Sequence, residues 1–425
     1  MRCRKIASML ITNNSITVDE VFFQPLAEAV AKASNLWHCP EFPDDVWIHM
    51  GVQRVLEASE SGRGFLQEHG LRFDNPPSYE NYFASLRSER RRDLAREVSR
   101  SLIAAIEPGI GDRLAGIPEL SDYACFAADG HWHKAAVHDP RHDGSKMAVG
   151  HFYALNLRTH TLRHLAVGEG LHEHDMSALK RIKPKGLRQE TPKGTRVLII
   201  YDKAGIDFDY WDRCRRECAV YFISRVKENM VFEWTANCAW DRSDARNAGV
   251  FLDCKASSRG GHALRLIMYQ DPASGTVYEF LTNEPGLPPG VIAELYRRRW
   301  EAEKVFDELK NKLGQKKAWA TSLVAKETQA LLIAITHNLL VAYERLVENR
   351  HSVRNTAEDE RRCERAESAE RLCAQAGQPI SSLVLVPRRA AQRSVKFIRW
   401  LRLAIRERLA EATAIAHLRK LYAVL

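Results

Sequence analysis

The stretch YRRRWEAEKVFDELKNK, residues 296–312, carries three consecutive arginines, a tyrosine, four carboxylates and several lysines. Its apolar residues recur at helical spacing, so it is predicted to be an amphipathic helix. Each residue turns a helix by about 100°; with Tyr296 at zero, Arg299 falls at about 300°, Lys310 at about 320° and Glu303 at about 340°. The apolar Val305, Leu309, Leu313 and Phe306 fall between about 180° and 280°. The polar stripe therefore borders the buried face instead of lying opposite it in solvent. A carboxylate held at the edge of a core, between two cations and a phenol, suits a metal-binding acid whose neighbours grip phosphate. An ordinary salt-bridged helix is the competing reading, since Arg299 and Glu303 stand at i,i+4.

Two further acids bear on that choice. Asp129 closes the apolar run CFAAD, with Gly130 directly after it, and Asp202 closes VLIIYD. They are expected to end the first and fourth strands of a sheet, and α/β sheets bind ligands at strand carboxyl ends. If those strands are neighbours, the two acids sit side by side, and close carboxylates repel unless a cation lies between them. Asp122, Asp139 and Asp143 compete with Asp129, which is preferred because an apolar run precedes it. Asp207 and Asp209 compete with Asp202 but look like the start of the next helix, where an acid favours the dipole. With Glu303 added, the three acids suit two Mg²⁺ ions about 4 Å apart, able to activate a water or hydroxyl and to stabilise a leaving oxygen.

The layout supports an α/β fold with flanking helical segments. Residues 1–115 read as mostly helical and end at the Pro- and Gly-bearing EPGIGDRLAGIPEL. From there the predicted order is strand, strand, strand, helix, strand, helix, strand. Four more strand-like runs, MVFEWTAN, GVFLDCKA, HALRLIMYQ and TVYEFLTNE, are expected to form an added antiparallel sheet over about residues 227–286. The quoted helix and the apolar TQALLIAITHNLLVAYERLV follow, closing a central domain of 116–345. Residues 346–425 read as a charge-dense link and one basic amphipathic helix.

Tyr296, Arg299, Glu303 and Lys310 fit, at every spacing, the Tyr-Arg-Glu-Lys signature of a known family. With DG at Asp129 and YDKAG at Asp202 in the right strand order, the sequence over about residues 121–345 resembles a DDE (Asp-Asp-Glu) transposase of the IS-four-like insertion-sequence group. The resemblance implies a ribonuclease-H-like mixed sheet with a β-rich insertion between the second Asp and the Glu. It implies that Asp129, Asp202 and Glu303 bind two Mg²⁺ ions, with Mn²⁺ as a substitute. Tyr296, Arg299 and Lys310 would hold phosphates of the transposon end, the partner being double-stranded DNA, both transposon end and target; Arg298 and Lys312 join them as DNA-binding candidates on their charge alone. It further implies a homodimer in the synaptic complex. A metal-dependent nuclease or resolvase on the same fold, or a relative that binds DNA without catalysis, is the alternative.

The bulk numbers agree with a polyanionic partner. The net charge is +9, and residues 381–425 hold ten Lys or Arg against two acids. Lys316 and Lys317 extend the basic run beyond Lys310 and Lys312. Nine dispersed cysteines without a CxxC pair argue for reduced thiols in a cytoplasmic setting, nucleoid-associated when DNA is bound. No stretch reads as long and apolar enough to span a bilayer, and the N-terminus does not read as a signal peptide. Trp234 and Trp240, in the insertion, suit stacking on an unpaired base, as in transposases of this resemblance, or plain core packing. Trp300 and Trp319 are expected to pack. His131, His133, His138 and His142 in DGHWHKAAVHDPRHDG offer a zinc reading, against ordinary solvated loop histidines.

Overall fold

The computed structural model describes residues 16–34, 36, 41–59, 61–70, 76–136, 148–168, 173 and 175–423. Five helices come first: α1 (Val18–Ala31), α2 (Asp44–Glu57), α3 (Gly62–Gly70), α4 (Tyr79–Ser85) and α5 (Glu89–Ile110). Thr17 starts α1 in a capping box, its hydroxyl accepting from the Glu20 amide while Glu20 Oε2 accepts from Thr17 N at 2.8 Å. Leu94, Val98 and Leu102 of α5 recur at i and i+4, and all three are buried.

Strands β1 (Tyr123–Lys134), β2 (Ala148–Asn156) and β3 (Leu162–Val167) form an antiparallel meander. Helix α6 (Asp175–Arg181), strand β4 (Arg196–Ile200), helix α7 (Phe208–Cys218) and strand β5 (Val220–Arg225) follow. β1 pairs in parallel with β4, and β4 with β5. This order, 3-2-1-4-5 with its parallel half, is a ribonuclease-H-like mixed sheet flanked by helices. Along β1 the side chains alternate: Cys125 and Ala127 face the large core shared with α1, α2 and α5, and Phe126 and Ala128 face a smaller core under α6 and α7.

The four later strands are β6 (Phe232–Asn237), β7 (Val250–Ser258), β8 (Ala263–Gln270) and β9 (Val277–Thr282). They do not make a separate sheet. β9 pairs with β5, Ile223 opposite Thr282, so one nine-stranded sheet runs from β3 to β6. An unpaired β5 edge would expose its amides and carbonyls, and the insertion covers it.

The quoted stretch is not one uniform helix either. Helix α8 (Pro289–Asp307) passes into a π-helical turn, Glu308–Lys312. Helix α9 (Leu323–His351) begins at the Ser322 cap and runs through the large core. By length and composition it could cross a membrane, contrary to the expectation from sequence, but 78% of its most apolar window is buried against the protein's own helices and β3. Leu332 of α9 lies so near Gly51 of α2 that a Cβ there would be 2.6 Å from its Cδ1.

Beyond α9 come α10 (Ala357–Gln375), α11 (Ser382–Leu385), α12 (Val395–Arg406) and α13 (Glu411–Ala423). The charge-dense segment is thus helical, and the expected single basic helix is two. Its break meets the N-terminal helices: Val18 N donates to Leu409 O at 3.0 Å.

Candidate active site

Asp129 does not end β1. The strand continues to Lys134 against β2; only its parallel pairing with the shorter β4 stops, at Ala127 opposite Ile200. Carrying that register two residues on sets Asp129 level with Asp202, just past the end of β4. Asp202 caps a short 3₁₀ turn, its Oδ1 accepting from Ala204 N at 2.8 Å, and its carbonyl accepts from the Ser224 hydroxyl. Asp129 Oδ1 accepts from Gly130 N at 2.8 Å.

The third acid arrives on α8. One guanidinium joins it to the first: Arg299 Nη1 lies 3.0 Å from Asp129 Oδ2, and Nη2 lies 2.6 Å from Glu303 Oε1. Burial pushes the Asp129 carboxyl up to about 6; Arg299 and the Gly130 amide pull it down, while the charges of Asp202 and Glu303 push it up. Tyr296 lies beside them, half-buried, its ring 5.1 Å from Phe280 and under the Arg299 guanidinium. Burial raises its phenol as well, and Asp202 adds to that rise.

Among the described residues, no three His, Cys, Asp or Glu side chains stand close enough to hold a metal ion as they are arranged. The chemistry of the acids still fits a hard divalent cation. The donors are all carboxylate oxygens, the charges of Asp202 and Glu303 push the Asp129 carboxyl up, and a cationic group already spans two of them.

A family model for the transposase DDE domain matches residues 122–339. The chain belongs to the DDE transposase family. The matched span runs from just before β1 into α9 and contains Asp129, Asp202 and Glu303. No curated protein matches the chain. Members of this family cut and transfer DNA and generally use divalent metal ions, so the chain is an enzyme whose partner is DNA.

The other residues singled out from sequence divide sharply. Lys310 is exposed on the π turn. Arg298 is buried, with Nε 2.7 Å from Glu294 and Nη1 donating to Arg113 O, and Lys312 Nζ donates to Gln392 Oε1 and Arg393 O at 2.7 and 2.6 Å. Both side chains are thus tied to partners within the protein, Arg298 buried and Lys312 half-buried. Lys316 and Lys317 are exposed.

Trp234 is 58% exposed on β6, the outermost strand, and Trp240 is half-buried under the Arg242 guanidinium. Trp319 packs, with Arg54 stacked 3.9 Å over its ring. Trp300 does not: it is 56% exposed, one residue past Arg299. Asp207 caps α7 through the Tyr210 amide, Asp209 lies in the first turn of that helix, and Asp122 is exposed before β1.

His131 and His133 are strand residues, not solvated loop residues. They are buried in a row with His151 of β2, which the half-buried His164 of β3 continues, rings 4.5 Å apart for His131–His133 and 4.7 Å for His133–His151. His138, His142, Asp139 and Asp143 lie outside the described residues. Sequence reading missed this row because its members are scattered over three strands. It also missed the fully buried pair of Glu308 and His337, joined at 2.9 Å. An acid on the helix line facing away from the stripe was the available signal.

Proposed function

We propose that the chain is the transposase of an IS-four-like insertion sequence, cleaving DNA at the element's ends and joining them to target DNA. Asp129, Asp202 and Glu303 are the metal-holding acids of this reading, for two Mg²⁺ ions, with Mn²⁺ as a substitute. When bound, the ions would supply charge stabilisation at the scissile phosphate and lower the pKa of the attacking water or hydroxyl. The observation that carries the reading is the single Arg299 fork across Asp129 and Glu303, with Asp202 level with Asp129 just past the end of the adjacent parallel strand.

The chain's own residues then have separate tasks. Arg299 can offer a phosphate two parallel hydrogen bonds from a planar fork. Lys310 offers an exposed point charge on the same helix, and Tyr296 a phenol at the other end of the stripe. Trp234 offers an exposed aromatic face to an unpaired base, with Trp240 nearby in sequence. Two copies, one per end, would bring the ends together.

Glu303→Gln tests this reading. The amide keeps the shape and removes the charge, so DNA cleavage in Mg²⁺ is lost while binding of end DNA persists. Cleavage at the normal rate by this variant would refute the assignment.

A further inference from the structure

The C-terminal segment runs along the back of α8. On the helical wheel with Tyr296 at zero, Arg297, Glu308, Glu301 and Lys312 fall between about 100° and 160°, opposite the stripe of Arg299, Glu303 and Lys310. Each of these four is tied to residues 383–402. Arg297 Nη2 donates to Leu383 O at 3.1 Å, and Glu301 Oε2 accepts from Ala391 N at 3.0 Å. Glu308 Oε2 accepts from Arg393 N and lies 3.3 Å from Arg393 Nε. Lys312 Nζ donates to Gln392 Oε1 and Arg393 O, and its carbonyl accepts from Arg402.

The ties concentrate where the helix changes character. Glu308 opens the π turn and Lys312 closes it. Glu308 is fully buried, as is His337 of α9, whose Nε2 in turn meets His160 O at 3.0 Å. Burial alone would raise the Glu308 carboxyl. Arg393 and His337 overcome this and hold it down at about 2, so it is a charge locked in place. A π turn is a less common arrangement that needs specific support, and such turns recur at functional sites. Because i→i+5 bonding winds the chain less per residue than i→i+4, the turn shifts Lys310 relative to Glu303 from where a continuous α-helix would carry it.

We propose that residues 391–393 are a brace that sets the catalytic helix, with Glu308, Lys312, Gln392 and Arg393 as positioning residues for cleavage. The strap holds the π turn from behind and so fixes the spacing of Lys310 from Glu303 along the DNA. The proposal rests on the reading of Glu303 given above and assigns a role to the C-terminal segment in the reaction itself. A misplacement of about 1 Å can cost roughly a hundredfold in rate, so loosening the brace slows cleavage without removing any group that touches DNA.

The test uses the full chain, Mg²⁺ and a supercoiled plasmid carrying the DNA that flanks the reading frame. Gln392→Leu cuts a tie from the strap side without changing charge, at a half-buried position. Glu308→Gln keeps the shape of the buried acid and removes its charge. Lys312→Met and Lys312→Arg remove and restore a donor. For each variant, the melting temperature, the DNA affinity and the single-turnover nicking rate of the folded protein are measured.

The expected result is a nicking rate down about tenfold or more for Gln392→Leu, Glu308→Gln and Lys312→Met, with affinity within about twofold and Lys312→Arg largely restored. Gln392→Leu and Glu308→Gln that fold and nick at the normal rate would overturn the brace. So would a loss of rate and affinity confined to Lys312→Met, which would mean that Lys312 touches DNA directly. A Glu303→Gln protein that still nicks overturns the reading of the site, and the brace falls with it. An active site lost in Glu303→Gln but indifferent to the strap variants overturns the brace alone.

Discussion

The Arg299 guanidinium lies 3.0 Å from the Asp129 carboxylate across 170 residues of chain, and its other arm reaches Glu303 at 2.6 Å. A planar fork holds the two carboxylates at a fixed spacing from separate nitrogens; a lysine ammonium has one nitrogen and a shorter reach. Arg299→Lys should therefore keep the local charge and lose the span. We expect strand transfer to fall about tenfold to a hundredfold, with a much smaller loss in end binding. Single-turnover transfer and filter binding on the same preparation check this. A salt-bridge helix with no part in the reaction predicts the reverse: a lower melting temperature and an unchanged rate in the protein that remains folded.

Lys310 stands exposed on the π turn, with no hydrogen bond or ion pair to the described residues. If it holds one phosphate, Lys310→Ala weakens end binding and lowers the slope of log affinity against log salt by about one unit. Affinity measured at several salt concentrations reads the slope directly, and an unchanged slope would count against the contact.

The buried histidines set the acid limit of the fold. Burial pulls His131 and His49 down to about 4 and His164 to about 3, and it also lowers His133, His151 and His160. These groups stay neutral in the folded chain, whereas the unfolded chain takes up protons near 6.5. Between about pH 6.5 and about pH 4 the unfolded form therefore binds more protons, and stability falls as pH falls. Asp129, raised to about 6, works the other way, but it is one group against several. Melting temperature should drop on going from about pH 7 to about pH 5, and His164→Gln should flatten that slope. A melting temperature independent of pH across the window would contradict the burial argument.

Asp253 of β7 is fully buried, with Oδ1 2.8 Å from Nε of Arg265 of β8, itself largely buried. Asp253→Ala leaves the buried guanidinium without its carboxylate, with only Nη1 still donating to Leu287 O among the described contacts, and should cost about 3–5 kcal/mol. Denaturant melts read the loss. Asp253→Ala with Arg265→Leu should recover most of it, since no unpaired charge then remains.

What the sequence determined is what local periodicity and spacing can carry. The nine strands follow from apolar alternation or from unbroken apolar runs, and the stripe of Tyr296, Arg299, Glu303 and Lys310 from a turn of about 100° per residue; the three acids stand out as candidates by their position after apolar runs or on a helix edge. Periodicity says which face of an element is apolar and is silent on what covers it. Pairing in space alone decided that β9 closes on β5, that β1 continues past Asp129, and that the N- and C-terminal helices meet at Val18 and Leu409. The same holds for charges in the opening stretch. Arg298, Arg299 and Lys312 look alike in sequence, yet Glu294 and the 392–393 strap take Arg298 and Lys312 inward while Asp129 and Glu303 hold Arg299 at the site. A charged side chain's task is set by the partner that reaches it through the fold, and that partner can lie 170 residues away.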